Sequence, residues 1–118
     1  MVLTFVMLIS YIVASLFSKR FITAFLRLTR TWNLLIIGLT QYFTAWFLVD
    51  SNTIYDIRLF LLCVSTILIA AAGYIINDYF DIKIDLSNKP DRVVVGKSIT
   101  RRFAIFFHIA LSFAGILI

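Results

Sequence analysis

Asn77-Asp78-Tyr79-Phe80-Asp81-Ile82-Lys83-Ile84-Asp85 follows directly on the apolar run Leu59 to Ile76, with neither Gly nor Pro between them. A helix carried through this stretch spaces Asp78, Asp81 and Asp85 by three and then four residues, so the carboxylates stack on one face, with Asn77 on its flank. Like charges at those spacings repel, and a charged side chain on a membrane helix costs up to ~3 kcal/mol on insertion scales. Such a cluster calls for a compensating cation. Its donors are all oxygens, with no Cys or His nearby, which favours a hard ion such as Mg2+. Mg2+ usually bridges one or two carboxylates to substrate phosphates, so a phosphorylated substrate is implied.

Downstream, Lys89, Arg92 and Lys97 lie in a loop with Pro90 and Gly96, within reach of the acidic helix. There they complement phosphate oxygens that a metal leaves uncovered. The plainer reading pairs Asp81, Asp85 and Asp91 with Lys83, Lys89 and Arg92 on a solvated segment. It leaves three carboxylates on one face, beginning at an apolar run, without a reason.

Upstream, the chain is overwhelmingly apolar. Of its 118 residues 62% are hydrophobic and 14% charged, and the mean hydropathy is +1.00. Soluble domains are about a quarter charged, so a water-soluble globule is excluded. The length allows about four spans of about 20 residues each, and the continuous apolar runs lack the alternation of a β-barrel. Expected spans are Trp32 to Val49, Leu59 to Ile76 and the run beginning at Phe103, with the shorter Val2 to Phe17 a marginal span or interfacial segment. Trp32 and Trp46 sit near the two ends of the first of these, as interfacial aromatics do.

Between Ser18 and Thr31, Arg20, Thr23, Arg27 and Arg30 recur at helical spacing opposite Phe21, Phe25 and Leu28. This is the pattern of an amphipathic helix on a membrane surface, its basic face meeting anionic lipid. The chain thus divides into residues 1–31, a short apolar segment plus a basic interfacial helix, and residues 32–118, a transmembrane domain. The net charge of +5 points to anionic head groups or an anionic substrate, not to nucleic acid. Ten of the eleven Lys and Arg fall in Lys19–Arg30 and Lys83–Arg102, which places both segments, and the Asp-rich stretch, on the cytoplasmic side of a multi-pass membrane protein. In a bacterium that is the cytoplasmic membrane. Cys63 has no cysteine to pair with. Ala70-Ala71-Ala72-Gly73 favours close helix packing, His108 has no partner at ligand spacing and reads as a packing or interfacial histidine, and Gln41 is an intramembrane polar group for a neighbouring helix or a substrate head.

Asn77-Asp78-x-x-Asp81-x-x-x-Asp85 resembles the first Asp-rich motif of the UbiA superfamily of intramembrane prenyltransferases. Asn88-Lys89-Pro90-Asp91-Arg92 through Gly96-Lys97 resembles the basic loop after it, and Arg30-x-x-Asn33-Leu34 is similar to the family's first-helix signature. The style is closest to geranylgeranylglycerol-phosphate geranylgeranyltransferase-like members. One departure is Val93-Val94-Val95, where many members are Pro-rich.

The resemblance implies an all-α polytopic bundle of about nine helices of about 20 residues, of which this chain holds three to four. It also implies Mg2+-dependent transfer of a prenyl group, an alkyl or aryl group other than methyl, from a prenyl diphosphate to a lipophilic or aromatic acceptor. By the same resemblance Asn77, Asp78, Asp81 and Asp85 are the metal-ligating and catalytic residues. Arg92, Lys97 and Lys89 hold the diphosphate, and Asn33 lines the pocket. No acidic residue follows Asp91, so the family's second Asp-rich motif is missing, and the expectation is an N-terminal part that does not perform the chemistry alone. The alternative is a non-catalytic cation-binding or accessory membrane protein using the same Asp cluster, which leaves the basic loop unexplained.

Overall fold

Ser18, Asp56 and Thr100 each stand one residue ahead of an apolar or amphipathic run. In the computed structural model, which describes residues 2–16 and 18–118, each accepts a backbone N–H of the first turn: from Phe21 at 3.2 Å, Arg58 at 2.8 Å and Phe103 at 3.4 Å. Capping satisfies donors that the first turn leaves without partners. The helices are α1 (Val2–Leu16), α2 (Lys19–Leu28), α3 (Thr31–Leu48), α4 (Ile57–Phe80), α5 (Ile82–Asn88) and α6 (Arg101–Leu117). Short 3-10 turns occupy Ser51–Tyr55 and Pro90–Arg92, and β structure among the described residues is limited to one isolated bridge, Val95 to Ile99. The all-α expectation holds. Phe17, the end of the apolar stretch that begins at Val2, lies outside the described residues.

Among the described residues one helix, α4, is long and apolar enough to cross a membrane unaided, and a second crossing arises only if Leu3–Ala14 and Lys19–Leu28 are counted as one bent span. At 1.5 Å per residue its 24 residues reach about 36 Å, more than a bilayer core of about 30 Å. The other two expected spans fall short for physical reasons. Asn33, Thr40, Gln41 and Thr44 dilute the 18 residues of α3, and α6 has 17 residues that open on Arg101-Arg102.

The helix α4 is central, with α3 and α6 antiparallel on either side of it. Toward α3, Gln41 Nε2 donates to Thr66 Oγ1 at 2.9 Å, and Gly38 faces Ile67 and buried Cys63. Toward α6, Ser65 Oγ donates to Gly115 O at 2.6 Å, and His108 Nδ1 lies 3.0 Å from Ala72 O, so that ring nitrogen carries the proton and the histidine is a helix-to-helix tie. Ala71 and Ala72 are buried by this packing, whereas Gly73 faces open space.

The core lies at the polar end of α4. Ala24 and Leu28 of α2, Ile75 of α4, Ile82 of α5 and Ala104 of α6 meet Val94, Val95 and Ile99 there, with Phe25 and Phe107 edge to face at 4.9 Å. Elsewhere the apolar surface is open: Leu35, Phe43, Phe60, Leu62, Phe106 and Phe113 along the bundle are exposed, and so is every residue from Leu3 to Ala14 of α1. Surface of that kind is covered by lipid or by further helices.

Gly115 sets the α4–α6 distance. A Cβ there would lie 2.7 Å from Ile69 Cγ1 and 3.1 Å from Ser65 O. Gly115→Val is expected to destabilise the packed pair by about 1–3 kcal/mol, read as a lower unfolding midpoint in SDS titration. Ile69→Ala, at a side chain 46% exposed, should recover part of that loss.

Candidate active site

Polar segments from three parts of the chain converge where α4 turns from apolar to acidic. Arg30 joins α2 to α3 with φ 52° and ψ 58°, the sole positive φ outside glycine among the described residues. A left-handed conformation is costly for an L-residue with a long side chain. Here it aims the guanidinium at α4. Nη2 donates to Asp78 Oδ1 at 3.0 Å, and Cζ stands 5.1 Å from the ring centroid of Tyr74, one turn earlier. The Asp78 side chain is 21% exposed and that of Arg30 45%, so the pair is partly shielded from solvent. Tyr74 therefore presents its face to Arg30, while Tyr79 packs on the core.

The acidic stretch is not one continuous helix. α4 ends at Phe80, and Asp81, with ψ of 5°, passes the chain into α5. Asp81 N–H still donates to Asn77 O at 3.0 Å, and Asp85 N–H to Asp81 O at 2.8 Å. Even an unbroken helix would bring Asp85 within about 20° of Asp78 but leave Asp81 about 60° away. The carboxylates divide accordingly. Asp78 and Asp85 line a cavity of about 1000 Å³, whereas Asn77 and Asp81 do not, and Asn77 Nδ2 donates to Asp81 Oδ2 at 3.0 Å.

Asn33, Lys89 and Arg92 also line this cavity, as does Asp91. Lys97 lies outside it: its Nζ donates to Pro90 O at 2.7 Å. Thr23, Arg27, Arg30 and Thr31 also line the cavity, although the sequence assigns none of them a role in the site. Their helical spacing is the available signal, but it reads equally as a lipid-facing stripe, and only the turn at Arg30 distinguishes the two.

Among the described residues no group of three or more His, Cys, Asp or Glu side chains is gathered closely enough to hold a metal ion. The cavity instead offers two carboxylates of the acidic motif beside Arg27, Arg30, Lys89 and Arg92. That donor set suits Mg2+, which takes one or two carboxylates and leaves the rest of its shell to phosphate and water. It does not form an all-protein cage.

A family described as UbiA prenyltransferase family matches residues 34–118. The chain belongs to the UbiA family. Digeranylgeranylglyceryl phosphate synthase of Korarchaeum cryptofilum is 40% identical over 93 residues, covering 79% of this chain and 32% of that protein. The proteins of the same name from Methanoregula boonei and Methanoculleus marisnigri are 32% and 37% identical, covering 80% and 82% of this chain and 33% and 34% of their own. The chain thus spans about a third of the length of the curated relatives it matches. No solved structure matches it significantly.

In this UbiA chain the link between Arg30 and Asp78 ties the α2–α3 corner to the acidic motif. A double-mutant cycle of Arg30→Ala and Asp78→Ala is expected to give a coupling of about 1 kcal/mol that shrinks as salt rises. Denaturant unfolding of the four proteins at low and high ionic strength measures it.

Proposed function

We propose that the intact protein is a membrane-embedded prenyltransferase, and that this chain supplies the part of its site that grips the prenyl diphosphate donor. The observation that carries this reading is the cavity in which Asp78 and Asp85 face Arg27, Arg30, Lys89 and Arg92 at the end of an apolar, membrane-length helix. Residues 32–118 are then the N-terminal part of a prenyltransferase transmembrane domain of about nine helices of about 20 residues. Within it α4 crosses the membrane unaided, α3 and α6 cross packed against it despite their polar residues or shorter length, α1 adds a marginal crossing, and α2 lies at the cytoplasmic interface. The second Asp-rich motif would come from the remainder of the bundle.

Lys89 and Arg92 bind diphosphate oxygens, Arg92 with the planar fork that suits a phosphate edge. Asn33 supplies a neutral donor at the other wall of the cavity. Asp78 and Asp85 would hold Mg2+ against the diphosphate, where the ion neutralises charge on the leaving group. Asn77 and Asp81 position this pair through their own hydrogen bond across the helix break. The allylic C–O bond then breaks with its electron pair leaving on the diphosphate, and the cation forms in a water-poor, apolar setting. An acceptor nucleophile captures the cation and releases a proton. The relatives' names favour a lipid acceptor bearing glyceryl phosphate, which makes this a step in isoprenoid lipid assembly.

Asp78→Asn and Asp85→Asn in the full-length protein are each expected to lower kcat/KM for prenyl transfer on the order of 100-fold, measured with a labelled prenyl diphosphate in membranes. Binding of a non-hydrolysable prenyl diphosphate analogue should require Mg2+ and disappear in Asp85→Asn. Mg2+ binding without any affinity for the analogue would favour a cation-handling protein instead.

A further inference from the structure

A second cavity, of about 620 Å³, opens between α2 and residues 91–98. Lys19, Arg20, Arg27 and Lys97 line it, against the single carboxylate of Asp91. The one ion pair among the described residues is Arg30 with Asp78, so none of these four cations is neutralised by a carboxylate contact. Like charges gathered around one space repel, and a bound anion removes that cost. The walls are well formed: Ala24 is 5% and Val94 7% exposed, and the Lys97 ammonium is held on Pro90 O.

The surroundings point to an anion carried on a lipid. α2 leaves Ile22 and Leu26 exposed beside its basic residues, and the adjoining α1 is apolar and exposed from Leu3 to Ala14. An interfacial helix with that composition seats its apolar side among acyl chains and its cations at head-group depth. Thr23, Arg27 and Asp91 line both cavities, which places the second anion beside the proposed donor site.

We infer that this second cavity is a subsite for the phosphate of a lipid, with Lys19, Arg20 and Lys97 as its ligands. The phosphate is either the monoester of the acceptor or the diester of a bilayer lipid. The first source rests on the proposed prenyl transfer; the second does not.

The test uses the full-length protein in phosphatidylcholine nanodiscs, without Mg2+ or prenyl diphosphate. One arm titrates a short-chain alkylglycerol phosphate, with the phosphate-free alcohol as blank. The other dopes the discs with phosphatidylglycerol. The Lys19→Gln, Arg20→Gln double variant should bind the anion about tenfold more weakly, and Lys19→Arg, Arg20→Lys should restore binding, which separates lost charge from lost fold. Weakening confined to alkylglycerol phosphate assigns the acceptor; weakening confined to phosphatidylglycerol assigns the head group. Equal binding of both anions by the wild type and the double variant overturns the subsite. So does an equal loss in Arg58→Gln, at the far end of α4, because the effect would then follow net charge. Mg2+-dependent binding of the prenyl diphosphate analogue, measured on the wild type alone, fails or succeeds independently of these outcomes.

Discussion

The arrangement of charge at the end of α4 hangs on one contact, the guanidinium of Arg30 against the carboxylate of Asp78. Energetically the pair is modest, because both groups are partly wet. Geometrically it is decisive. It bridges 48 positions in sequence and holds the α2–α3 corner against the acidic motif, so the basic face of α2 becomes a wall of the cavity. The left-handed backbone at Arg30 is the local cost of this arrangement, on the order of 1–3 kcal/mol. It is offset by the ion pair, the Tyr74 ring and burial of Leu28 at 0% exposure two residues earlier.

With α2 in place, the division of labour among the carboxylates follows from helix geometry. Seven residues separate two side chains that face the cavity, and the intervening Asp81 turns aside and accepts from Asn77. The motif is therefore not a uniform acidic stripe. Two of its members line the cavity with its cations, and the other two hydrogen-bond to each other at the junction where α4 ends and α5 begins. Arg30 also gives Asp78 a counter-charge within the chain itself, so an acidic site beside an apolar helix is tolerated without any ligand.

Much of this is legible in the sequence where the signal is local. Ser18 with the Arg and Phe spacing marks α2, the apolar run marks α4, and the Asp-rich stretch with its basic loop marks the family. What escapes reading depends on distant contacts or on small angular differences. Nothing near Arg30 in the sequence announces Asp78. Lys97 reads as one more phosphate ligand, but the turn at Gly96, with φ of 89°, carries it toward α2 and out of the Asp78 cavity. The Asp81 break is equally silent, because neither Gly nor Pro accompanies it. α3 reads as a span from its aromatic ends, whereas its polar residues keep its hydropathy below that of α4.

Val93-Val94-Val95, where the family resemblance leads one to expect proline, acquires a meaning from where its side chains go. Val94, Val95 and Ile99 are 7%, 1% and 2% exposed, sunk into the core beneath the cavities, and the backbone between them closes through Ile99 N–H to Val94 O at 3.1 Å. Proline would stiffen such a segment by restricting the unfolded chain; here burial of branched side chains stiffens the folded one. The backbone entropy of the 93–99 segment is thus lost during folding. Binding of the proposed anion would then require little ordering of the loop backbone, which leaves more of the contact energy as affinity.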